Sequence, residues 1–263
     1  MPAFGSLLPP PPDTRRGIPL YYDKTEDEVR QDVYERYDEL VARQTALHLA
    51  DHLHGGYPLQ PLADYVARWR PEQPEAVVAD IGCSVGRLIG DIARDRPLWD
   101  CYGLDFSYQM LRQAADYWTG GKTVAANLLR FGYPSGEFSG YALPNLHFAL
   151  AEASALPLPT GSADLLLNTF LIDRIPHPTR AFDDWWRALR PGGRLVIVSP
   201  LNFLKQAEWE KYYPPIKIVD LLLRRGWQLL DLTDPLYLDE PMDRRGNVVR
   251  WKTFALALEK PLV

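Results

Sequence analysis

The sequence predicts an α/β chain built as a doubly wound, mostly parallel sheet of seven strands, with an antiparallel last strand and a helical cap before it. Three observations lead there. From Ala76 onward, short apolar runs alternate with amphipathic stretches of helical period, the pattern of a parallel sheet with helices on both faces. Asp243-Arg-Arg-Gly-Asn247 separates the last two apolar runs, and so short a turn requires antiparallel neighbours. About seventy residues precede the alternation, and the only periodicity among them is helical, from Thr25 onward.

The elements follow in order. Residues 1–20 hold Pro9-Pro-Pro-Pro12 without periodicity and read as an extended or disordered arm. Residues 21–75 form the cap. Thr25 and Glu28 make a capping box, and Val29, Val33, Tyr37, Leu40 and Val41 recur at helical spacing, so one long helix is expected. Gly55-Gly56 stops it or its continuation, and Leu62 to Trp69 is a shorter helix ended by Pro71. Residues 76–263 form the main domain. Its strands are expected at 76–80, 101–105, 146–151, 163–168, 194–199, 227–232 and 249–258, and its helices at 87–94, 107–118, 179–189 and 215–225. The connection 119–144 is some twenty residues longer than a plain one needs. It enters the next strand from the side away from the carboxyl edge, and reads either as an interface element or as decoration.

Composition limits the function. The chain has 263 residues, 46% of them apolar, enough for a substantial core. A net charge of −5 without a lysine or arginine block argues against a nucleic-acid partner. There is no apolar run of membrane-spanning length and no signal-peptide pattern at Met1, so a cytoplasmic protein is expected. Cys83 and Cys101 are too few for a disulfide scaffold or a zinc site, and no metal is expected.

The chemistry-bearing stretch is Val77-Val-Ala-Asp-Ile-Gly-Cys-Ser-Val-Gly-Arg-Leu88, followed by Tyr102-Gly-Leu-Asp-Phe-Ser107. It is a strand, a glycine loop, a helix, and a second strand ending in an acid. Gly82 and Gly86 let a ligand approach the backbone, and Asp105 can accept the hydroxyls of a ribose. A dinucleotide site would need glycines at 84 and 87. Ser84 and Arg87 stand there, which disfavours a nicotinamide oxidoreductase.

Asp80-x-Gly82-x-Ser84-x-Gly86 resembles the first motif of class I S-adenosylmethionine-dependent methyltransferases, with Ser84 in place of the middle glycine. Three further segments are similar in the right order. Asp105-Phe-Ser-Tyr-Gln-Met110 matches the second motif. Ala151-Glu-Ala-Ser-Ala-Leu-Pro-Leu-Pro159 places Glu152 where the family carries the acid that meets adenine. Ser162 to Pro178 and Leu189-Arg-Pro-Gly-Gly-Arg-Leu-Val-Ile-Val198 match the fourth strand and the turn into the fifth. The resemblance covers residues 76 to 200 well and the tail in outline. It implies a Rossmann-like fold and S-adenosylmethionine as cofactor, with S-adenosylhomocysteine as product. The implied cofactor residues are Asp80, Gly82, Ser84, Gly86, Asp105, Phe106, Met110, Glu152, Ala153, Asn168 and Thr169.

The reaction it implies is methyl transfer to an O, N or C nucleophile of a small molecule, with a homodimer allowed for. The candidate catalytic residues follow the fourth strand. Asp173 would orient or deprotonate an acceptor, and Arg174 would bind a carboxylate bidentately; the alternative for both is an ion pair at a helix start. His177, between two prolines, is the third candidate. Many small-molecule relatives carry a His pair where this chain has Asp173-Arg174, which keeps open a catalytically silent cofactor-binding scaffold or regulatory partner. Asn168-Thr-Phe-Leu171 lacks the Pro-Pro signature of amino-group methylation on bases or glutamine. Tyr21, Tyr22, Tyr34 and Tyr37 are candidates to line the cap.

Overall fold

The computed structural model describes residues 6–36 and 38–262. Tyr37, the first five residues of the expected arm and Val263 lie outside the described residues. The N-terminal segment opens with a hairpin of β1 (Asp13–Arg15) and β2 (Ile18–Leu20). The cap follows as α1 (Glu26–Gln31), α2 (Val33–Arg36), α3 (Asp38–Leu49), α4 (Asp51–His54) and α5 (Gln60–Ala67). Thr25 and Glu28 form the capping box of α1. The single long helix expected from periodicity is broken at Asp32. Its carboxylate accepts the amides of Tyr34 at 2.9 Å and Glu35 at 3.4 Å, so it restarts the helix as a cap instead of continuing it.

The main domain runs β3 (Val77–Ile81), α6 (Arg87–Asp95), β4 (Asp100–Asp105), α7 (Tyr108–Trp118), β5 (Val124–Ala126), β6 (Gly136–Phe138), β7 (Leu146–Leu150) and β8 (Ala163–Thr169). It continues with α8 (Pro178–Ala188), β9 (Leu189–Ser199), α9 (Gln206–Tyr212), α10 (Ile216–Arg224), β10 (Gln228–Pro241) and β11 (Val248–Glu259). The large sheet has the order β1-β2-β7-β4-β3-β8-β9-β11-β10. Its seven-strand core is the expected one, parallel from β7 to β9, with β11 antiparallel between β9 and β10. The edge hairpin extends it to nine: Leu20 pairs in parallel with Leu150. Thus the second half of the proline-rich arm is sheet.

Apolar side chains fill both faces. Val78, Cys101 and Leu165 join α6, α7 and the cap on one face. Ala79, Leu104 and Leu166 join α8 and α10 on the other. The order of connection reverses between β3 and β8, which opens a crevice at their carboxyl ends. Phe254 pairs with Ser199, the last residue of β9. The six residues 248–253 therefore project roughly 20 Å past the sheet with their β10 partners, at about 3.4 Å per residue. This arm and the cap stand over the crevice.

The 119–144 connection does not stay on the side from which it enters β7. Its β5–β6 hairpin returns to the cap, where Phe138 and Tyr133 meet His52 and His54 at ring distances of 5.7 and 5.5 Å. Arg130 pairs with Glu39. The Arg244 amide, at the tip of the β10–β11 arm, donates to the Phe131 carbonyl at 3.0 Å. The insertion thus ties cap to arm.

Candidate functional site

At the end of β3 the chain turns through three residues of positive φ: Gly82 at 79°, Ser84 at 53° and Gly86 at 77°. The amides of Gly82 and Cys83 donate to the Leu104 carbonyl at 2.7 and 3.1 Å, anchoring the loop to β4. Asp105 completes the anchor. One carboxylate oxygen accepts the Ser84 amide at 2.7 Å and the other the Ser107 amide at 2.8 Å, where Ser107 caps α7. A carboxylate has about four acceptor positions, so roughly two remain. Burial raises the Asp105 pKa, opposed by its two amide donors.

Other polar groups at this edge lack partners among the described residues. Asp80 is buried, and its Oδ1 has no hydrogen bond. Burial, then repulsion from Asp105, pushes its pKa up to about 7. Asn168 is fully buried in register with Ile81, and neither atom of its amide is bonded. Buried polar atoms are rarely left so. Such orphans at the crevice fit a polar ligand.

The two glycines divide their roles. A Cβ on Gly82 would lie 2.9 Å from the flexible end of Leu171. On Gly86 it would lie 2.9 Å from Phe148 and 3.1 Å from Trp118, so this glycine makes room for rings inside the domain. Gly103, which the sequence reading passed over, does the same: its Cβ would fall 2.4 Å from Phe148. Met110 is buried with its sulfur 3.7 Å from Ser84 Oγ. Glu152 accepts the Ser154 hydroxyl at 2.5 Å, and the Ala153 carbonyl accepts the Trp185 indole at 2.8 Å. Phe106 and Thr169 are half-buried at their strand ends.

The catalytic candidates separate. Asp173 is buried. It accepts the Ser199 hydroxyl at 2.6 Å and the Asn202 amide at 3.1 Å, bracing the loops after β8 and β9. Each oxygen accepts one structural hydrogen bond, so Asp173 has a bracing role in the fold whatever its part toward an acceptor. Arg174 is exposed, its nearest charge Asp173 at 3.6 Å, and its guanidinium makes no hydrogen bond among the described residues. His177 is exposed at the start of α8 and makes no side-chain hydrogen bond among the described residues.

Long-range contacts add residues that no local pattern marks. Tyr34 of α2 is close enough to Asp105, Glu240 and Arg174 to feel their charge; burial, then Asp105, raises its pKa. Glu240, on the projecting arm, is buried, pairs with Arg43 of α3 and accepts the Trp251 indole at 2.8 Å. Trp251 meets Phe170 edge-on at 5.7 Å. Cap, arm and the loop after β8 thus share one wall. A separate cleft of about 300 Å³ is lined by residues of α4, α6 and α7, among them Asp51, Arg87 and Asp91.

Residues 79–197 match a family model described as a methyltransferase domain. A trans-aconitate 2-methyltransferase of Deinococcus radiodurans is 30% identical over 132 residues, covering 50% of this chain and 41% of that protein. A malonyl-[acyl-carrier protein] O-methyltransferase of Methylococcus capsulatus is 29% identical over 124 residues, 47% of this chain and 37% of that protein. The chain therefore spans less than half the length of these curated relatives. The crystal structure of a SAM-dependent methyltransferase from Aquifex aeolicus superposes with a TM-score of 0.54 at 14% identity, covering 85% of this chain and 98% of that one. At that identity the likeness establishes the shared Rossmann-like fold.

Proposed function

We propose that this chain, whose residues 79–197 match a methyltransferase domain, is a class I methyltransferase that binds S-adenosylmethionine and methylates a small molecule. The observation that carries the reading is Asp105. It sits at the end of the strand beside the glycine loop, fixed by two amides, with acceptor capacity left for ribose hydroxyls. Phe106 and Met110 would hold the adenine apolarly, and Glu152 and Ala153 would meet its edge. The Gly82–Gly86 backbone, Asp80, Asn168 and Thr169 would take the amino-acid end.

Bound there, the cofactor supplies a methyl group on a sulfonium and leaves as a neutral thioether. The chain's own task is to align the acceptor and exclude water. Arg174, with its donors unspent, is placed to hold an anionic group of the acceptor bidentately. The names of both curated relatives also point to carboxylate acceptors. No base is assigned, and the acceptor atom is O, N or C.

No described helix is long and apolar enough to cross a membrane. We place the protein in the cytoplasm, acting without nucleic acid, with a homodimer as the assembly to test. The burial of Asp173 favours one second reading, a cofactor-binding scaffold without turnover. Calorimetry with S-adenosylhomocysteine, then methyl transfer to a panel of small carboxylic acids, phenols and amines, separates the two. Binding with transfer supports the enzyme, and binding without transfer the scaffold. No binding refutes both.

A further inference from the structure

The segment between the edge hairpin and α3 crosses the carboxyl ends of β7 and β4, the ground that an adenosine would need. The Tyr21 amide donates to the Leu150 carbonyl at 2.9 Å and fixes the chain at the end of β7. The Tyr22 ring then lies 5.3 Å from that of Phe106, and its hydroxyl donates to Glu28 at 2.8 Å. Tyr22 is also close enough to Glu152 to feel its charge. The Lys24 ammonium stands 4.4 Å from the centre of the same Phe106 ring. It bonds Asp32 at 2.7 Å and approaches Glu35 at 3.5 Å, in a cluster whose side chains are 7, 9 and 12% exposed. Glu35 in turn accepts the Tyr108 amide at 2.7 Å at the start of α7. The cap residues therefore rest on both chain neighbours of Ser107, next to Asp105.

How this segment is held matters as much as where it lies. Neither α1 nor α2 buries a single residue, and Val29 and Val33 remain 43 and 44% exposed. α3, by contrast, buries Val41, Ala46, Leu47 and Leu49. The segment is thus anchored at one end by the sheet and at the other by the core. Between them it meets the domain at the Phe106 ring, which Tyr22 and Lys24 share, at the Tyr108 amide, which Glu35 accepts, and at the core beside the half-buried Tyr22 and Tyr34; the Lys24–Asp32–Glu35 cluster lies within the segment itself. Segments with few buried apolar contacts are those that open locally at low cost.

We propose that residues 21–35 are a self-occluding strap, in which Tyr22 and Lys24 occupy the Phe106 surface that adenine would require. Cofactor then enters only when the strap lifts. This rests on the adenosine reading of Asp105 and Phe106 given above. It has the opposite sign from a lid that closes over bound cofactor, because a lid gains contacts on binding and this strap must lose them.

The test uses the full chain and S-adenosylhomocysteine as probe. Stopped-flow and calorimetric binding are measured for wild type, Tyr22→Ala, Lys24→Met and, as the conservative control, Tyr22→Phe. Tyr22→Ala and Lys24→Met should bind at least about fivefold faster and tighter than wild type, with Tyr22→Phe in between. Amide exchange across residues 21–35 should speed up when the probe saturates the wild type. Weaker binding by Tyr22→Ala, or exchange in the strap that slows on binding, would overturn the strap and make Tyr22 a lid residue. If neither wild type nor any variant binds the probe, the adenosine reading itself falls and the strap falls with it.

Discussion

Replacing Asp105 by alanine separates its ligand role from its structural one. The carboxylate accepts two amide hydrogen bonds, at 2.7 Å from Ser84 and 2.8 Å from Ser107. A hydrogen bond to a charged group contributes about 1.5–3 kcal/mol. Both bonds are part-buried, so water partly replaces the lost acceptor, and a stability loss of about 2–4 kcal/mol is expected in urea denaturation. The ribose contact is additional. Its loss should weaken S-adenosylhomocysteine by about 1.5–3 kcal/mol, which is roughly a 10- to 150-fold rise in dissociation constant. Asp105→Asn sharpens the comparison. The amide keeps one acceptor oxygen but sets an NH2 against one of the two backbone donors, so it should lose stability while retaining part of the affinity. Calorimetry at 25 °C on each folded variant reads the binding term directly. Unaltered affinity in Asp105→Ala, beside a lowered denaturation midpoint, would show that the acid serves the loop alone.

Asp80, with its pKa near 7, gives a pH signature. S-adenosylmethionine carries a positive charge that S-adenosylhomocysteine lacks, so its relative affinity should rise as Asp80 ionises between pH 6 and 8; a ratio equally flat in wild type and Asp80→Asn would refute this. The same group works against the fold in that direction: its folded pKa exceeds the unfolded value near 3.9, so its contribution to stability is full below about pH 4 and lost as pH rises to 7. Gly86→Ala should lower stability by about 1–3 kcal/mol, because the added carbon meets Phe148 and Trp118 at positive φ; a native urea midpoint with abolished binding would reassign this glycine to the ligand. Asp173→Ala should lower the thermal midpoint by orphaning Ser199 and Asn202; a variant of native stability with no turnover would return Asp173 to the chemistry.

What the sequence discloses and what it conceals follow from the range of the interactions. The strand–loop–helix–strand unit was legible because its determinants are local: apolar runs, a positive-φ glycine loop, a Ser107 cap three residues before the amide it bonds. Asp32 shows the limit of even local signals. A capping box and continued helical spacing predict one helix, yet one short acid offers the amides of Tyr34 and Glu35 an acceptor in place of the turn behind them. The edge hairpin was illegible because Asp13 to Leu20 has no alternation; it becomes sheet only because β7 presents an unpaired edge at Leu150. Asp173 is tied to Ser199 across 26 residues, and Arg43 to Glu240 across 197. No window of sequence relates such pairs, so the bracing role of the acid beside Arg174 could not be read from its neighbours. The cofactor half of the site lies within one supersecondary unit and can be read from spacing. The acceptor half is assembled from the cap, the loop after β8 and the projecting arm, three segments that meet only once the sheet exists. That division explains why the sequence points to a cofactor and leaves its acceptor unnamed, and it makes Arg174 and Glu240 the positions where substitution should change the acceptor and leave the cofactor bound.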